Sequence, residues 1–281
     1  MPEHFNLPWQ HLLRSPELHE SGVEVEWEDY PAGSGAMRDA LDEGRLDLAM
    51  LLTEAAAAGI GNGAAFRVVS LYTQTPLIWG IHVPASSASR SVEEIRGARY
   101  AISRFGSGSH LMAFVLSEQK AWPADELRFV LVENLDGAIG AFERGAADIF
   151  LWEKFMTKPL VDAGRFRRLG ELRAPWPAFV VCASERALRD RAGAIAWVLG
   201  KVFEAAGRLI TDPAAAAEEI AERYGLRSED AAEWLRATRW AQAVQLDQGA
   251  LSRASASLQS AGLIPAGPLP QLGFALPLET E

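Results

Sequence analysis

The chain has 281 residues, with 27 basic and 37 acidic side chains and a net charge of −10 at neutral pH. At roughly 100–200 residues per domain this length allows two domains, and 49% hydrophobic with 23% charged residues is ordinary globular usage, which excludes wholesale disorder. An acidic chain without a basic run or zinc-finger spacing repels phosphate backbones and anionic lipid, so no nucleic-acid partner is expected, and no stretch of about 20 apolar residues is present to insert in a membrane.

Met1-Pro2-Glu3-His4 has neither the basic start nor the apolar core of a secretory leader. The sequence as it stands reads as cytoplasmic, or as periplasmic with a leader removed. Val23 to Trp27 alternates as Val-Glu-Val-Glu-Trp and predicts an edge-like strand. Gly33-Ser34-Gly35 reads as a loop, Ala36 to Glu43 as a helix, and Gly44 as its stop. Leu46 to Leu52, Val68 to Tyr72 and Leu77 to Val83 are predicted strands. Pro84 to Ser91 is a small-residue linker, and Ser91-Val92-Glu93-Glu94 reads as a capped helix start. Strands follow at Arg99 to Ser103, Leu127 to Val132, Ala147 to Leu151, Phe166 to Leu169 and Phe179 to Ala183, with helices at His110 to Lys120 and Gly137 to Arg144. From Glu185 the pattern is helical: Glu185 to Ile210, Pro213 to Tyr224, Ser228 to Trp240 and Gln248 to Ala261. The Pro- and Leu-rich tail from Pro265 to Glu281 is expected to pack along the surface. Alternating β and α units predict an α/β fold with mainly parallel sheets, flanked by helices, and a helical C-terminal region.

One unit appears twice. Ala40-Leu41-x-x-Gly44-x-x-Asp47-Leu48 recurs as Ala141-Phe142-x-x-Gly145-x-x-Asp148-Ile149, offset by 101 residues throughout. Any tight helix-to-strand connection selects Gly and Asp. That accounts for each copy alone, but less well for one copy in each half. Two lobes of similar construction, with a cleft between them, account for both.

The most informative stretch for binding is Ser103-Arg104-Phe105-Gly106-Ser107-Gly108-Ser109-His110, between a predicted strand and a predicted helix. Free N–H groups at a helix start attract anions, and glycines let a ligand approach the backbone. Ligands of open α/β sheets bind beyond the carboxyl ends of the strands. The loop is therefore a candidate seat for a carboxylate, sulfonate or phosphate, the plainer reading being a capped turn. It is not a P-loop, since no Gly-Lys-Ser/Thr ends it. Other predicted strand ends offer Thr53-Glu54, Thr73-Gln74-Thr75-Pro76, Asn134-Leu135-Asp136 and Trp152-Glu153. Trp9, Trp79 and Trp176 stand near predicted loops or crossovers, where an indole either fills the core or stacks on a planar ligand.

Catalytic and cofactor chemistry has little support. Glu54 and Glu153 could pair for acid/base work, but equally could accept from a ligand amine. The five histidines are scattered, with no HExxH or Cys/His cluster, so no metal or cofactor is expected. Gly-Ser-Gly-Ser is not the GxSxG of a nucleophile elbow. Cys182, the one cysteine, lies in an apolar run from Ala178 and reads as a buried structural thiol.

Pro2 to Trp9, Ser103 to His110, Trp152-Glu153-Lys154-Phe155, Thr157 to Val161 and Pro175-Trp176-Pro177 together resemble a family of type II periplasmic-binding-like proteins. It belongs with the sulfonate, taurine and nitrate binders and the thiamine-pyrimidine-precursor proteins, and includes a subgroup with a Candida member. The resemblance spans roughly Pro2 to Ala183. It implies a discontinuous first lobe of residues 1–80 and 179–281, a second lobe of 81–178, and a hinge near 80–84 and 175–180. It also implies that the loop His4 to Trp9, with Asn6 and Leu7, faces the cleft opposite Ser107, Gly108 and Ser109, beside which His110 is a further candidate contact. The chain opens where the family's first strand ends, which predicts a sheet short of one strand.

The expected role is a solute-binding protein that closes on a small polar ligand, anionic or amino-heterocyclic. Ser107 and Ser109 would hold the anionic end, with Asn6, Thr53, Thr73, Asn134 and Asp136 as polar contacts. Trp9, Trp79 and Trp152 would exclude water, and Glu54 and Glu153 would accept from an amine. Binding would shift an open–closed population. The expected partner is an ABC-type permease if the protein is exported; otherwise the role is sensing or carriage. An enzyme of thiamine-pyrimidine-type precursor metabolism is the alternative, weakened by the lack of the cysteine-rich motif of the yeast enzyme. A regulator's effector domain is weaker still, as no helix-turn-helix fits before His4.

Overall fold

Two compact units make up the chain, one of Met1–Thr75, Trp176–Ser252 and Gly267–Glu281, the other of Pro76–Pro175 and Arg253–Ala266. The computed structural model describes residues 3–30 and 34–277. Pro2, Gly33 and the last four residues of the tail, all named above, lie outside the described residues.

The first unit opens with a 3-10 turn at Glu3–Asn6 and helix α1 at Leu7–Leu12, where the sequence suggested a loop. Pro8 permits the helix because its missing N–H falls in the first turn, where no intrahelical bond is lost. Helix α2, Pro16–Glu20, is capped by Ser15 Oγ. The predicted strand from Val23 to Trp27 does not form, and residues 23–30 carry no ladder. Alternation specifies one buried face and not a partner: Val23, Val25 and Trp27 are half-buried, Glu24, Glu26 and Glu28 are exposed, and Trp27 packs on Trp9 with ring centroids 5.9 Å apart. Helix α3 (Ser34–Asp42), strand β1 (Leu48–Leu52), helix α4 (Thr53–Gly61) and strand β2 (Phe66–Leu71) complete this stretch.

The second unit holds strands β3 (Ile78–Pro84) and β4 (Arg99–Ile102), helix α5 (Gly108–Gln119), strand β5 (Arg128–Leu131), helix α6 (Leu135–Glu143), strand β6 (Ile149–Glu153), helix α7 (Lys158–Asp162) and strand β7 (Phe166–Arg173). The helix start suggested at Ser91 is a single 3-10 turn, Glu93–Ile95, cut short by Gly97 at φ +70°. The sequence repeat is a repeat of elements. Helix α3 and strand β1 recur as α6 and β6, with the same offset at every boundary. Gly44 and Gly145 stop the two helices at φ +70° and +64°, a conformation that favours glycine. Asp47 pairs with Arg186 and Arg191, and Asp148 with Arg99, whose Nη2 stands 2.8 Å from Oδ1.

The chain then returns to the first unit as strand β8 (Phe179–Ser184), helix α8 (Glu185–Thr211, kinked at Arg191), helix α9 (Pro213–Tyr224) and helix α10 (Ser228–Ala237); helix α11 spans Gln248–Ser260. Sheet one has the order β1-β8-β2 and sheet two β5-β4-β6-β3-β7. The expectation of mainly parallel sheets needs correction. Strand β8 is antiparallel to both its neighbours, and β3 to both of its own. The remaining strands of each sheet share one direction, as β4 does with β5 and β6. A helical crossover makes parallel only the strands it joins, and β3 and β8 each follow a strand of the other sheet, β2 and β7, not one of their own neighbours. The tail adds to sheet one: Val68 N–H donates to Leu272 O at 2.9 Å, and Phe274 N–H to Val68 O at 2.8 Å. Among the described residues no helix is long and apolar enough to cross a membrane. Cys182 is buried in the middle of β8, and burial pushes its thiol far above the ordinary range.

Close backbone approach constrains one glycine sharply. A Cβ on Gly137, in the first turn of α6, would stand 1.8 Å from Val132 O, whereas one on Gly200 in α8 would meet nothing within 4 Å. Gly137→Ala is therefore expected to lower unfolding free energy by at least about 2 kcal/mol, and Gly200→Ala to raise it by about 0.5–1 kcal/mol. Urea denaturation of the two variants checks both signs.

Candidate functional site

In sheet two the carboxyl ends of β4, β5 and β6 and the amino end of the reversed β3 share one edge, because Trp79 pairs with Glu153 and Gly80 with Trp152. The loop Ser103 to Ser107 leaves β4 at this edge and enters α5. Ser107 is the cap: its Oγ accepts from His110 N–H at 3.3 Å and lies 3.1 Å from Ser109 Oγ. Ser109 Oγ in turn accepts from Ser103 N–H at 3.1 Å. Both hydroxyls are buried and engaged within the loop. The amides of Gly108 and Ser109 precede the first intrahelical bond, Leu111 N–H to Ser107 O, and have no acceptor within the helix.

His110 belongs to the support of this loop. Its Nδ1 accepts from Gly106 N–H at 3.0 Å, and its ring packs against Phe105, Phe114 and Phe129. Burial holds its pKa below the ordinary imidazole value. A second helix start reaches the same edge. Asn134 caps α6 by accepting from Gly137 N–H at 2.9 Å, and Asp136 is exposed in the first turn.

Trp79 is buried and Trp152 half-buried, and neither indole N–H has a partner. Trp152 stacks on Phe150 with centroids 4.9 Å apart, on the face of the sheet covered by α6. Strand alternation puts Trp79 and Glu153 on the opposite face. Glu153 Oε2 accepts from the amides of Phe155 and Met156 at 2.9 and 2.7 Å, closing the turn after β6. Burial nonetheless pushes its carboxyl up to about 7, against the opposing pull of those amides. Sequence reading passed over the group beneath this turn. His82 Nε2 lies 2.9 Å from Thr157 Oγ1, and a Cβ on Gly80 would strike the His82 ring, so Gly80 is required there.

In the first unit, the carboxyl ends of β1 and β2 and the amino end of β8 share an edge, with Leu52 opposite Phe179. Thr53 and Thr73 stand there as fasteners. Thr53 Oγ1 donates to Pro177 O at 2.6 Å, and Thr73 Oγ1 accepts from Phe179 N–H at 3.0 Å. The N-terminal turn reaches the same edge, since the Phe5 ring lies 4.8 Å from that of Phe179, and Phe5 O accepts from Tyr72 Oη at 2.6 Å and Trp240 Nε1 at 3.1 Å. Asn6 follows directly and Trp9 one helical turn on; Asn6 Oδ1 and Trp9 Nε1 are buried without partners. Leu7 is fully buried and packs in the core.

Glu54 starts α4 from within this edge. Trp176, singled out as a stacking candidate, instead donates its indole N–H to Glu54 Oε2 at 2.7 Å. The two lie 122 positions apart, a separation that carries no sequence signal. Burial pushes the Glu54 carboxyl up to about 7, and its Oε1 has no partner. Among the described residues no group of three or more His, Cys, Asp or Glu side chains could hold a metal ion.

The family model described as Ca3427-like PBP matches residues 79–172, which lie within the second unit. The conserved Candida albicans CA3427 gene product, which defines a family with the generic periplasmic binding protein fold, matches in structure with a TM-score of 0.90 at 23% identity, covering 100% of this chain and 96% of that one. The chain carries the periplasmic-binding-protein fold. The alkanesulfonate-binding protein SsuA from Xanthomonas axonopodis pv. citri, bound to MOPS, matches with a TM-score of 0.78 at 20% identity, covering 93% of this chain and 90% of that one. The aliphatic sulphonate binding protein SsuA from Escherichia coli gives 0.73 at 18% identity, with the same coverage. Both SsuA proteins are named as binding proteins. No curated protein sequence matches the chain.

The raised carboxyls predict a pH signature. Glu54 and Glu153 ionise less readily folded than unfolded, so the stability they contribute is present below about 4.5 and lost as pH rises through about 7. His4 and His82 have the opposite sign: burial lowers both to about 3 from 6.5, so their contribution is present above 6.5 and lost on acidification. The two slopes oppose each other between 4.5 and 6.5. Glu54→Gln removes one descending slope, so the melting temperature at pH 8 minus that at pH 5 is expected to be more positive than in the wild type. Thermal unfolding at the two pH values measures it.

Proposed function

We propose that this chain is a solute-binding protein that captures a small polar ligand, anionic or amino-heterocyclic, for ABC-type uptake or for sensing. The observation that carries the reading is the loop Ser103–Ser107 and the start of α5, which bring the unbonded amides of Gly108 and Ser109 to the carboxyl edge of sheet two. A chain of net charge −10 repels anions at long range. It needs local positive potential to hold one, and a helix start supplies about half an elementary charge there. The unpartnered indole N–H of Trp79, at the same edge, is a further donor. The hydroxyls of Ser107 and Ser109 act on the ligand through the loop they brace. Asn134 and Asp136 border the site from the start of α6.

The MOPS held by the Xanthomonas protein is a sulfonate, which favours a sulfonate-sized anion here. Nothing in this arrangement requires chemistry on the ligand. Glu54 and Glu153 lie in different units, each with one oxygen already held by N–H donors. An ABC permease is the partner this role calls for. Adjacent permease and ATPase genes support uptake, and their absence supports sensing.

Differential scanning fluorimetry with ethanesulfonate, MOPS, acetate and inorganic phosphate tests the binding. A true ligand at 100 times its dissociation constant stabilises by about 2.7 kcal/mol. No shift with any of the four sinks the anion reading. Ser107→Ala combined with Ser109→Ala unbraces the loop and is expected to weaken the best anion by about tenfold, or about 1.4 kcal/mol. Unchanged affinity would leave the loop as a helix cap alone.

A further inference from the structure

The polar edge of the first unit holds buried acceptor atoms that its own residues leave unpartnered. Glu54 is 3% exposed. Trp176 fixes one of its oxygens, while the other, Oε1, is buried with no partner. Asn6 Oδ1, at the same sheet edge, is also buried without a donor, and so is the donor Trp9 Nε1. A folded protein rarely leaves buried polar atoms unpaired, and each such atom calls for an explanation.

The charge environment narrows the answer. Besides burial, the groups acting on Glu54 are its own backbone and the Trp176 indole, and none is a cation. A buried carboxylate is normally paired with positive charge. Two unpartnered acceptors, one of them on a carboxyl that Trp176 and its own backbone hold without a cation, match the several N–H donors of a positively charged amine better than a neutral hydroxyl.

We propose that Glu54 Oε1 and Asn6 Oδ1 form a subsite of the first unit that takes a primary ammonium group of the ligand, with Trp176 orienting the Glu54 carboxyl. This rests on the solute-binding reading but not on the anion site at α5. Glu54 is then the specificity-determining residue of this subsite, and Trp176 a positioning residue.

The test uses the full chain with ¹⁵N-labelled tryptophan at pH 8 and constant ionic strength. Methylammonium and tetramethylammonium are titrated separately, and the Trp176 indole resonance is followed. The two cations share a charge, but only methylammonium donates N–H. The expected result is a saturable shift of the Trp176 resonance with methylammonium, at least tenfold weaker with tetramethylammonium. Glu54→Gln, which keeps an acceptor oxygen but removes the charge, is expected to weaken methylammonium at least tenfold. Glu54→Asp, which keeps the charge but draws it back from Trp176, serves if the Gln variant does not fold, and is expected to weaken it as well. Equal responses to the two cations, no response to either, or a wild-type response in the folded variants overturns the proposal. A positive result here alongside a silent anion panel would sink the α5 site and leave this one standing.

Discussion

Strand β8 runs against both of its neighbours, and the polar edge of the first unit depends on that reversal. Because β8 lies between β1 and β2, its amino end meets their carboxyl ends. Two threonine hydroxyls lock the junction, one donating to Pro177 O and one accepting from Phe179 N–H. Trp176, three residues before the strand, is thereby carried to Glu54. A parallel β8 would put Trp176 at the far end of the sheet. The reversed β3 does the same in sheet two, setting Trp79 across from Glu153.

At both edges the sequence places polar groups where burial makes them costly. Glu153 answers this with two backbone amides closing its turn, and Glu54 with its own backbone and the Trp176 indole. Neither arrangement offsets the loss of water around a carboxylate, so both carboxyls rise to about 7. Half of the ten unpartnered buried side-chain atoms among the described residues, on Asn6, Trp9, Glu54, Trp79 and Trp152, belong to residues at these edges. A structure shaped for stability alone would replace such groups or satisfy them. Their concentration at the strand ends where α/β proteins bind ligands is the physical reason for reading both edges as functional.

The serines of the α5 loop show how a polar motif differs from an available polar group. Ser107 and Ser109 are the residues that composition marks, yet their hydroxyls bond to the loop itself. What they leave available is the backbone. His110 works the same way, bracing Gly106 among three phenylalanine rings. Thr53 and Thr73 likewise stand at the sheet edge while their hydroxyls serve the strands. A sequence names residue types at an edge; it does not say whether a side chain faces a ligand or its own backbone.

Local chemistry alone determined the repeated helix–glycine–aspartate–strand unit, since a left-handed stop and a short connection must select Gly and Asp wherever they occur. It also determined the helices from Glu185 onward and the strand-to-helix loop before α5. These features depend on neighbours within a few residues, which periodicity and capping chemistry record directly. Tertiary structure decided the rest. Residues 23–30 alternate as a strand should, yet no strand pairs with them, because pairing belongs to the partner and not to the pattern. The direction of β3 and β8 followed from how the chain enters each sheet. The bond between Trp176 and Glu54 joins residues 122 positions apart, and only the folded sheet brings their atoms to 2.7 Å.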